Sequence, residues 1–323
     1  VKINLGSTIK FTISLALGLG LVWFLNSKIS AEQRIQIIEG LKNIQPWLLV
    51  VSILLAALAC IIRAFRWKML LAPMGYQPRN STLISSIFIM YLGNLIFPRL
   101  GEILRCSVLL KEEEVPLDKG IGTMITERLV DVFGLGLYFV LALLFEYDRF
   151  FEIYSKYNAM KGESSYLIPI LLLVTMLLGA ILIWRVSKLR QFILEKIHGV
   201  LEGLKSILKL KSPTLFVLYS LAIYFIYFIS TYILFLAFSE TTPLSLGCGL
   251  VVLIAGTLGV GLTQGGIGAY QVLVTWTLEL YGISATTAQT YSWAAWILPT
   301  ATLVIFGLIS WIFLLKRSHG KNN

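Results

Sequence analysis

Histidine and cysteine are scarce in this sequence. His198 and His319 stand far apart, and Cys60, Cys106 and Cys248 show no C-x-x-C spacing, so neither a metal site nor a disulfide framework is indicated. Charge is scarce too. Asp, Glu, Lys and Arg make up 14% of 323 residues, against about 25% in an ordinary soluble domain, which excludes the soluble globular class. The chain is instead 57% apolar, in runs long enough to cross a hydrocarbon core of about 30 Å. The formal net charge of +10 does not point to nucleic acid, because the basic residues stand in short clusters beside apolar spans, as orientation signals in membranes do. The glycine-rich segment 264–268 lacks the Lys-Ser/Thr ending of a phosphate-binding P-loop and follows no strand, so no nucleotide or other cofactor is expected.

Apolar runs predict spans over residues 9–25, 46–62, 123–145, 167–184, 213–238 and 286–315. The first follows Lys2 and Lys10 without an A-x-A cleavage site and reads as a retained span, with a signal peptide as the alternative. Residues 29–45 and 188–211 alternate apolar and charged positions at helical spacing and read as interfacial amphipathic helices. Arg63, Arg66, Lys68 and Arg79, the basic run over 185–211, and Lys316, Arg317 and Lys321 are expected in the cytoplasm. That places both termini there, in a cell (inner) membrane.

Two further apolar regions, 81–110 and 244–280, are interrupted by Gly or Pro. With residues 63–80 and 185–211 on one side, the stretch 81–110 must enter and leave on that side. Its second limb, 102–110, is about 14 Å long at 1.5 Å per residue, too short to cross. A re-entrant hairpin with 94–101 at its tip fits. The stretch 244–280 reads likewise, although two full crossings satisfy parity equally well there.

The expected fold is therefore an all-α polytopic membrane protein, one integral membrane domain over 1–323, built as an inverted-topology repeat. Each half, 1–148 and 165–317, holds two spans, a re-entrant helical hairpin and one more span, with interfacial amphipathic helices. Two short matches agree with a duplication. Glu39-Gly40-Leu41-Lys42-Asn43-Ile44 recurs as Glu202-Gly203-Leu204-Lys205-Ser206-Ile207, ahead of Pro46 and Pro213, and Pro98-Arg99-Leu100-Gly101 lies over Gly265-Gly266-Ile267-Gly268.

Six ionisable residues lie in or beside apolar segments of the first half: Arg99, Glu102, Arg105, Glu127, Arg128 and Asp131. A charge at mid-bilayer costs on the order of 3 kcal/mol on insertion scales, so such residues pair or face a wet cavity. Glu102 falls three residues from both Arg99 and Arg105, and Glu127 and Asp131 share a helical face. Arginine forks suit phosphate oxygens, so these residues read as an anionic headgroup site, the alternative being a structural charge network. Helices beginning inside the membrane at Gly101 and at Gly266 to Gly268 would point free N–H groups at the same cargo; close helix packing is the competing reading of the glycines. Asn94, Pro98, Gln264, Gly265 and Gln271 complete the candidate set. Tyr219, Tyr224, Tyr227, Tyr232, Trp293 and Trp296 read as interface anchors or packing, as does Arg66-Trp67, and Glu112-Glu113-Glu114 as a solvated turn.

Arg63-x-x-Arg66-Trp67, Asn94-x-x-x-Pro98-Arg99-x-Gly101-Glu102-x-x-Arg105, Glu127-Arg128-x-x-Asp131 and Gly265-Gly266-Ile267-Gly268 together resemble the lysylphosphatidylglycerol synthase transmembrane family, or flippase-like domain proteins. The resemblance covers nearly the whole chain. It implies a prokaryotic cell-membrane protein that moves a lipid with a polar headgroup between leaflets. The proline-arginine-glycine-glutamate and glycine-rich segments would then form the translocation site. Where the family commonly has Pro-Gly-Gly-Leu-Gly and an acid three residues on, this sequence has Gln264 for the proline and Gln271 for the acid. A carboxylate role in the second half is therefore not carried over. Larger members continue into a soluble aminoacyl-transferase domain, whereas this sequence stops after Lys-Arg-Ser-His-Gly-Lys-Asn-Asn, so aminoacyl transfer by this chain alone is not expected.

The expected function is thus a lipid translocase for a phospholipid or polyprenyl-linked lipid. The alternatives are an intramembrane enzyme transferring a group to or from a lipid headgroup, and a secondary transporter of a soluble anion. The expected partners are the bilayer, a membrane lipid as substrate, and a second copy or a separate lipid-modifying enzyme.

Overall fold

A computed structural model describes residues 5–97, 99–160 and 207–320, and every regular element among them is helical. The first apolar run forms α1 (Leu5–Ser27), set at 111° to α2 (Ala31–Lys42). Ser30 makes that corner. Its hydroxyl accepts from the Gln33 N–H while the Gln33 side chain accepts from the Ser30 N–H, so the start of α2 satisfies two of its own free donors. Pro46, whose missing N–H costs nothing in a first turn, opens α3 (Pro46–Leu71). This helix runs on past residue 62, where the apolar run alone would end it, because the arginines beyond that point find carboxylates rather than water.

Next come α4 (Asn80–Ile96) and α5 (Leu100–Glu113), paired as a helical hairpin. With 14 residues, α5 is about 21 Å long, longer than the limb expected over 102–110. At the hairpin's base Arg79 Nε donates to Glu113 at 2.7 Å and Arg79 also reaches the Glu112 carbonyl, so Glu112 and Glu113 close the hairpin rather than form a solvated turn. Partial burial works against the Glu113 charge, but hydrogen bonds from Thr82 and Arg79 outweigh it and hold its pKa below the ordinary value.

The chain continues through α6 (Leu117–Phe145) and α7 (Tyr147–Met160), the latter with no counterpart in the sequence reading. Pro213 opens α8 (Pro213–Ile233), which tightens into a 3-10 turn over Leu234–Ala237. A second hairpin follows, α9 (Leu246–Leu262) and α10 (Ala269–Leu280), joined through a 3-10 turn at Gln264–Gly266. The last helix is α11 (Ala285–Gly320), with Pro299 inside it. The span expected over 167–184, the basic stretch 185–206, which holds all but the last residue of the repeat of Glu39 to Ile44, and Pro98 lie outside the described residues.

Among the described residues, four stretches are long and apolar enough to cross a membrane, containing α3, α6, α8 and α11, and the bent α1 and α2 pair makes a fifth. Their outer surfaces carry Leu144, Phe225, Val132 and Ile305 facing away from the protein, the pattern expected where the solvent is hydrocarbon. The chain is a multi-pass membrane protein. The helix α11 joins the two hairpins. Gly307 lies against Leu92 of α4, and Phe306 stacks on Phe88 at 5.3 Å. Towards its start, Tyr291 shares a buried cluster with Val274 and Leu278 of α10.

Candidate functional site

Two constellations make up the candidate site. The first is a buried charge cluster centred on Glu127. One of its oxygens accepts from Arg63 at 2.8 Å and Arg66 at 3.1 Å, and the other accepts from Arg105 at 2.8 Å. Asp131, one turn along α6, takes Arg63 at 3.0 Å and Arg66 at 2.8 Å. The shared face expected for Glu127 and Asp131 therefore meets two arginines of α3 and one of α5. Each arginine is further supported. Arg105 lies over the Trp67 ring at 4.2 Å, and Trp67 donates to the Thr123 hydroxyl at 2.9 Å. Arg66 donates to Ser220 at 3.2 Å, and Arg63 reaches the Tyr227 hydroxyl at 3.3 Å, both on α8.

Arg66 and Trp67 are wholly buried, which overturns their reading as an interfacial anchor. Basic residues after an apolar run normally mark the membrane edge. Here they are neutralised from another helix, a fact no local pattern displays. Tyr227 likewise joins the cluster, whereas Tyr224 packs on Gly134 and donates to the Val130 carbonyl.

The cluster has a wetter rim. Arg128, with its side chain 47% exposed, reaches Glu102 at 3.3 Å and Asp131 at 3.7 Å. Glu102 thus pairs with Arg128 rather than with the flanking Arg99 and Arg105. Arg99 precedes the first turn of α5 in a left-handed conformation, φ 63°, and is exposed with no ion pair among the described residues. Left-handed backbone is costly for a residue bearing a Cβ and recurs at functional sites. Four guanidinium groups in this network face three carboxylates, so it carries one positive charge in excess. Arg63 Nε, Arg66 Nε, and Arg105 Nε and Nη1 are buried without an acceptor among the described residues.

The second constellation is the junction of the two chain breaks. Asn94 near the end of α4 accepts the Gly101 N–H on its side-chain oxygen at 2.9 Å, capping α5. Its backbone carbonyl, with that of Leu95, accepts from the Gln264 side chain at 2.6 and 3.2 Å. The break in the second hairpin therefore bonds directly to the break in the first. Trp296 of α11 donates to the Gly265 carbonyl at 2.8 Å and fixes the turn from the other side. Gly265, Gly266 and Gly268 all have positive φ. Gln271 is buried and accepts the Gly268 N–H at 2.7 Å, while its Nε2 has no partner among the described residues.

Gln264→Leu keeps the volume but strips the donor from two carbonyls. An unsatisfied buried group costs about 1 to 3 kcal/mol, so the thermal midpoint in detergent should fall measurably. A midpoint equal to that of the parent protein would rule out the bridge.

Of the six ionisable residues, Glu102 and Arg105 on α5 meet Glu127, Arg128 and Asp131 on the facing turns of α6, whereas Arg99 stands at the hairpin tip apart from the network; Arg63 and Arg66 are the residues the sequence reading left outside the site. Their spacing, one turn apart on a helix that could continue, was the available signal.

No solved structure matches the chain. Among curated proteins it is similar to the glycosyltransferase AglD of Haloferax volcanii, 28% identical over 30% of this chain and 16% of that protein. It is also similar to two membrane proteins of Methanocaldococcus jannaschii. UPF0104 membrane protein MJ1595 is 28% identical over 34% of this chain and 33% of that protein. UPF0104 membrane protein MJ1078 is 25% identical over 71% of this chain and 96% of that protein. The chain thus spans about a sixth of the first relative and a third of the second, but nearly all of the third. The family model for the lysylphosphatidylglycerol synthase TM region matches residues 11–315, and the chain belongs to that family.

Proposed function

We propose that this protein moves a phosphate-bearing membrane lipid, a phospholipid or a polyprenyl-linked lipid, between leaflets. The observation that carries the reading is the direct bond from Gln264 to the Asn94 and Leu95 carbonyls, beside a buried cluster with a positive excess and unpartnered guanidinium N–H groups. Irregular backbone in a membrane must be buried in protein or line a polar cavity, and two such segments meeting next to unspent phosphate donors serve a polar cargo. The second limbs, α5 and α10, have 14 and 12 residues, about 21 and 18 Å, short of a hydrocarbon core of about 30 Å, which supports re-entrant hairpins in inverted halves that rock about the junction. The basic flanks support cytoplasmic termini in a cell membrane.

Group transfer at the headgroup, the second expectation, needs a carboxylate available as base. Glu127 and Asp131 are each already engaged by two or three arginines, which favours their service as counter-charges.

Arg99, exposed at the junction without a partner among the described residues, is the first residue a headgroup would meet. In liposomes holding a labelled phospholipid and a leaflet-selective quencher, the protein should accelerate loss of the protected signal at least tenfold over protein-free vesicles. Arg99→Ala should remove most of that gain. Flipping no faster than in empty vesicles would reject translocation, and full flipping by Arg99→Ala would reject this site.

A further inference from the structure

We propose that Glu146 is a proton-binding site that latches the base of the second hairpin to α6: ionised it holds the hairpin, and protonated it lets go. On the translocation reading, on which the last step rests, the freed hairpin is the half that rocks, so acid on that face speeds transport.

Glu146 caps the end of α6 and is buried, with 7% of its surface exposed. Its two oxygens hold both limbs of the second hairpin. Oε1 accepts from the hydroxyl of Ser245, the residue that caps the start of α9, and Oε2 accepts at 3.0 Å from the hydroxyl of Tyr281, the residue that follows α10. The fit is close as well as bonded. A Cβ at Gly247 would lie 2.1 Å from Oε1, so the first turn of α9 rests on the carboxylate with no side chain between them. Glu146 stands about 22 Å along α6 from Asp131, at 1.5 Å per residue. One helix thus ties the base of the second hairpin to the charge cluster.

What sets this carboxylate apart is that its donors are neutral. Glu127 is met by three guanidinium groups, and Glu113, at the base of the first hairpin, by Arg79. Glu146 makes no ion pair among the described residues. Arg149 of α7 is engaged elsewhere: it donates to Glu152 at 2.7 Å and to the Leu280 carbonyl at 2.9 Å, and lies 5.6 Å from the centre of the Tyr281 ring. The other titratable groups beside Glu146 are Tyr281 itself and the buried thiol of Cys248 on α9, while Tyr147 and Asp148, next along the chain, are exposed. Two hydroxyls therefore carry the task of solvating a buried charge. An ionised carboxyl accepts at both oxygens, whereas a protonated one must donate from one of them. A proton on either oxygen sets a carboxyl hydrogen against a hydroxyl hydrogen, so one hydroxyl must turn. The Ser245 oxygen is already committed to the Cys248 N–H as the cap of α9, and the latch loosens.

The test reads hydrogen exchange over residues 244–250 and 278–284 of the full chain in nanodiscs, each rate divided by its intrinsic value at the same pH. Between about pH 8 and about pH 5, protection in the parent protein should fall at least fivefold. Glu146→Gln keeps the shape but cannot ionise, and should show the low protection at both. Glu240→Gln, at a carboxylate that accepts from Ser284 and Thr287 beside the start of α11, should respond like the parent. Tyr281→Phe removes one donor and leaves the acid in place, so it should lower protection at about pH 8 and shrink the fall. Protection indifferent to pH in the parent protein would overturn the site without recourse to a variant. A response that survives Glu146→Gln, or is lost in Glu240→Gln, would assign the proton elsewhere, and a Tyr281→Phe protein identical to the parent would overturn the latch. With cytoplasmic termini the face bearing Glu146 is the outer one. Acidifying that face of liposomes should speed flipping at least threefold, and acidifying the other should not. Flipping that depends on Arg99 but ignores pH on both faces would overturn the gating and leave translocation standing. An exchange response without flipping would leave the proton site and remove the transport.

Discussion

Glu127→Ala will not survive extraction from the membrane as a folded protein. Arg63, Arg66 and Arg105 share this carboxylate, and all three arginines are buried. Deleting it leaves one carboxylate, Asp131, against three guanidinium groups in a region of low dielectric. Breaking a buried pair from one side typically costs about 3 to 5 kcal/mol, a large fraction of the total stability of a folded chain. The expected readout is loss of the monodisperse peak in fluorescence-detected size exclusion, or a collapse of the thermal midpoint. A charge-balanced double variant separates electrostatics from packing. Glu127→Gln with Arg105→Gln should recover part of what Glu127→Gln loses, because the second change removes an uncompensated charge. A Glu127→Ala protein with the parent midpoint would mean that the arginines find water or another acceptor, and the cluster would lose its central place.

Gly101→Ala should be nearly as damaging, for a different reason. A Cβ there would lie 1.8 Å from the Met90 carbonyl oxygen and 2.8 Å from the Asn94 side-chain oxygen. Backbone is the obstacle, so no side chain can swing aside. The hairpin must open at its tip, which lengthens the Asn94 to Gly101 cap and displaces the Asn94 carbonyl from Gln264. Overpacking costs typically 1 to 3 kcal/mol, about the range expected here plus the lost cap. Flipping should fall to the level of empty vesicles even where some folded protein remains. Gly136→Ala is the matched control, because nothing lies within 4 Å of the added methyl. Alanine in mid-helix should raise stability by up to about 1 kcal/mol. If the two substitutions lowered the midpoint equally, close approach at the hairpin tip would not be what Gly101 provides.

The two interruptions were legible because Gly and Pro within apolar runs are rare and their cost in lipid is high. The pairing of Glu127 with Asp131 was legible because i, i+4 spacing fixes a face regardless of tertiary context. Arg63 and Arg66 were not. A basic residue just past an apolar stretch looks the same whether it flanks the bilayer or reaches a carboxylate 64 residues further along. The end expected for α3 was early for the same reason. Gln264 was picked out as a departure from a motif, but its bond to two carbonyls has no sequence signature, since an acceptor on the backbone is present at every residue. Glu112 and Glu113 misled in the opposite sense, for three acids in a row suggest water until Arg79 and Thr82 are seen to face them. The helix α7 mixes apolar and charged residues at a length between a loop and a span, and no single rule of periodicity or length separates it from either.

The contact between α1 and the second chain break bears on assembly. At Gly18 a Cβ would meet the Ile267 carbonyl oxygen at 2.6 Å, and at Gly268 one would meet the Gly18 carbonyl oxygen at 2.1 Å, so two main chains touch with nothing between them. A helix near the start of this sequence is thus seated by a turn from the second hairpin. The contact of α1 with the bundle is therefore long-range in sequence, and it cannot form before the glycine turn has been made.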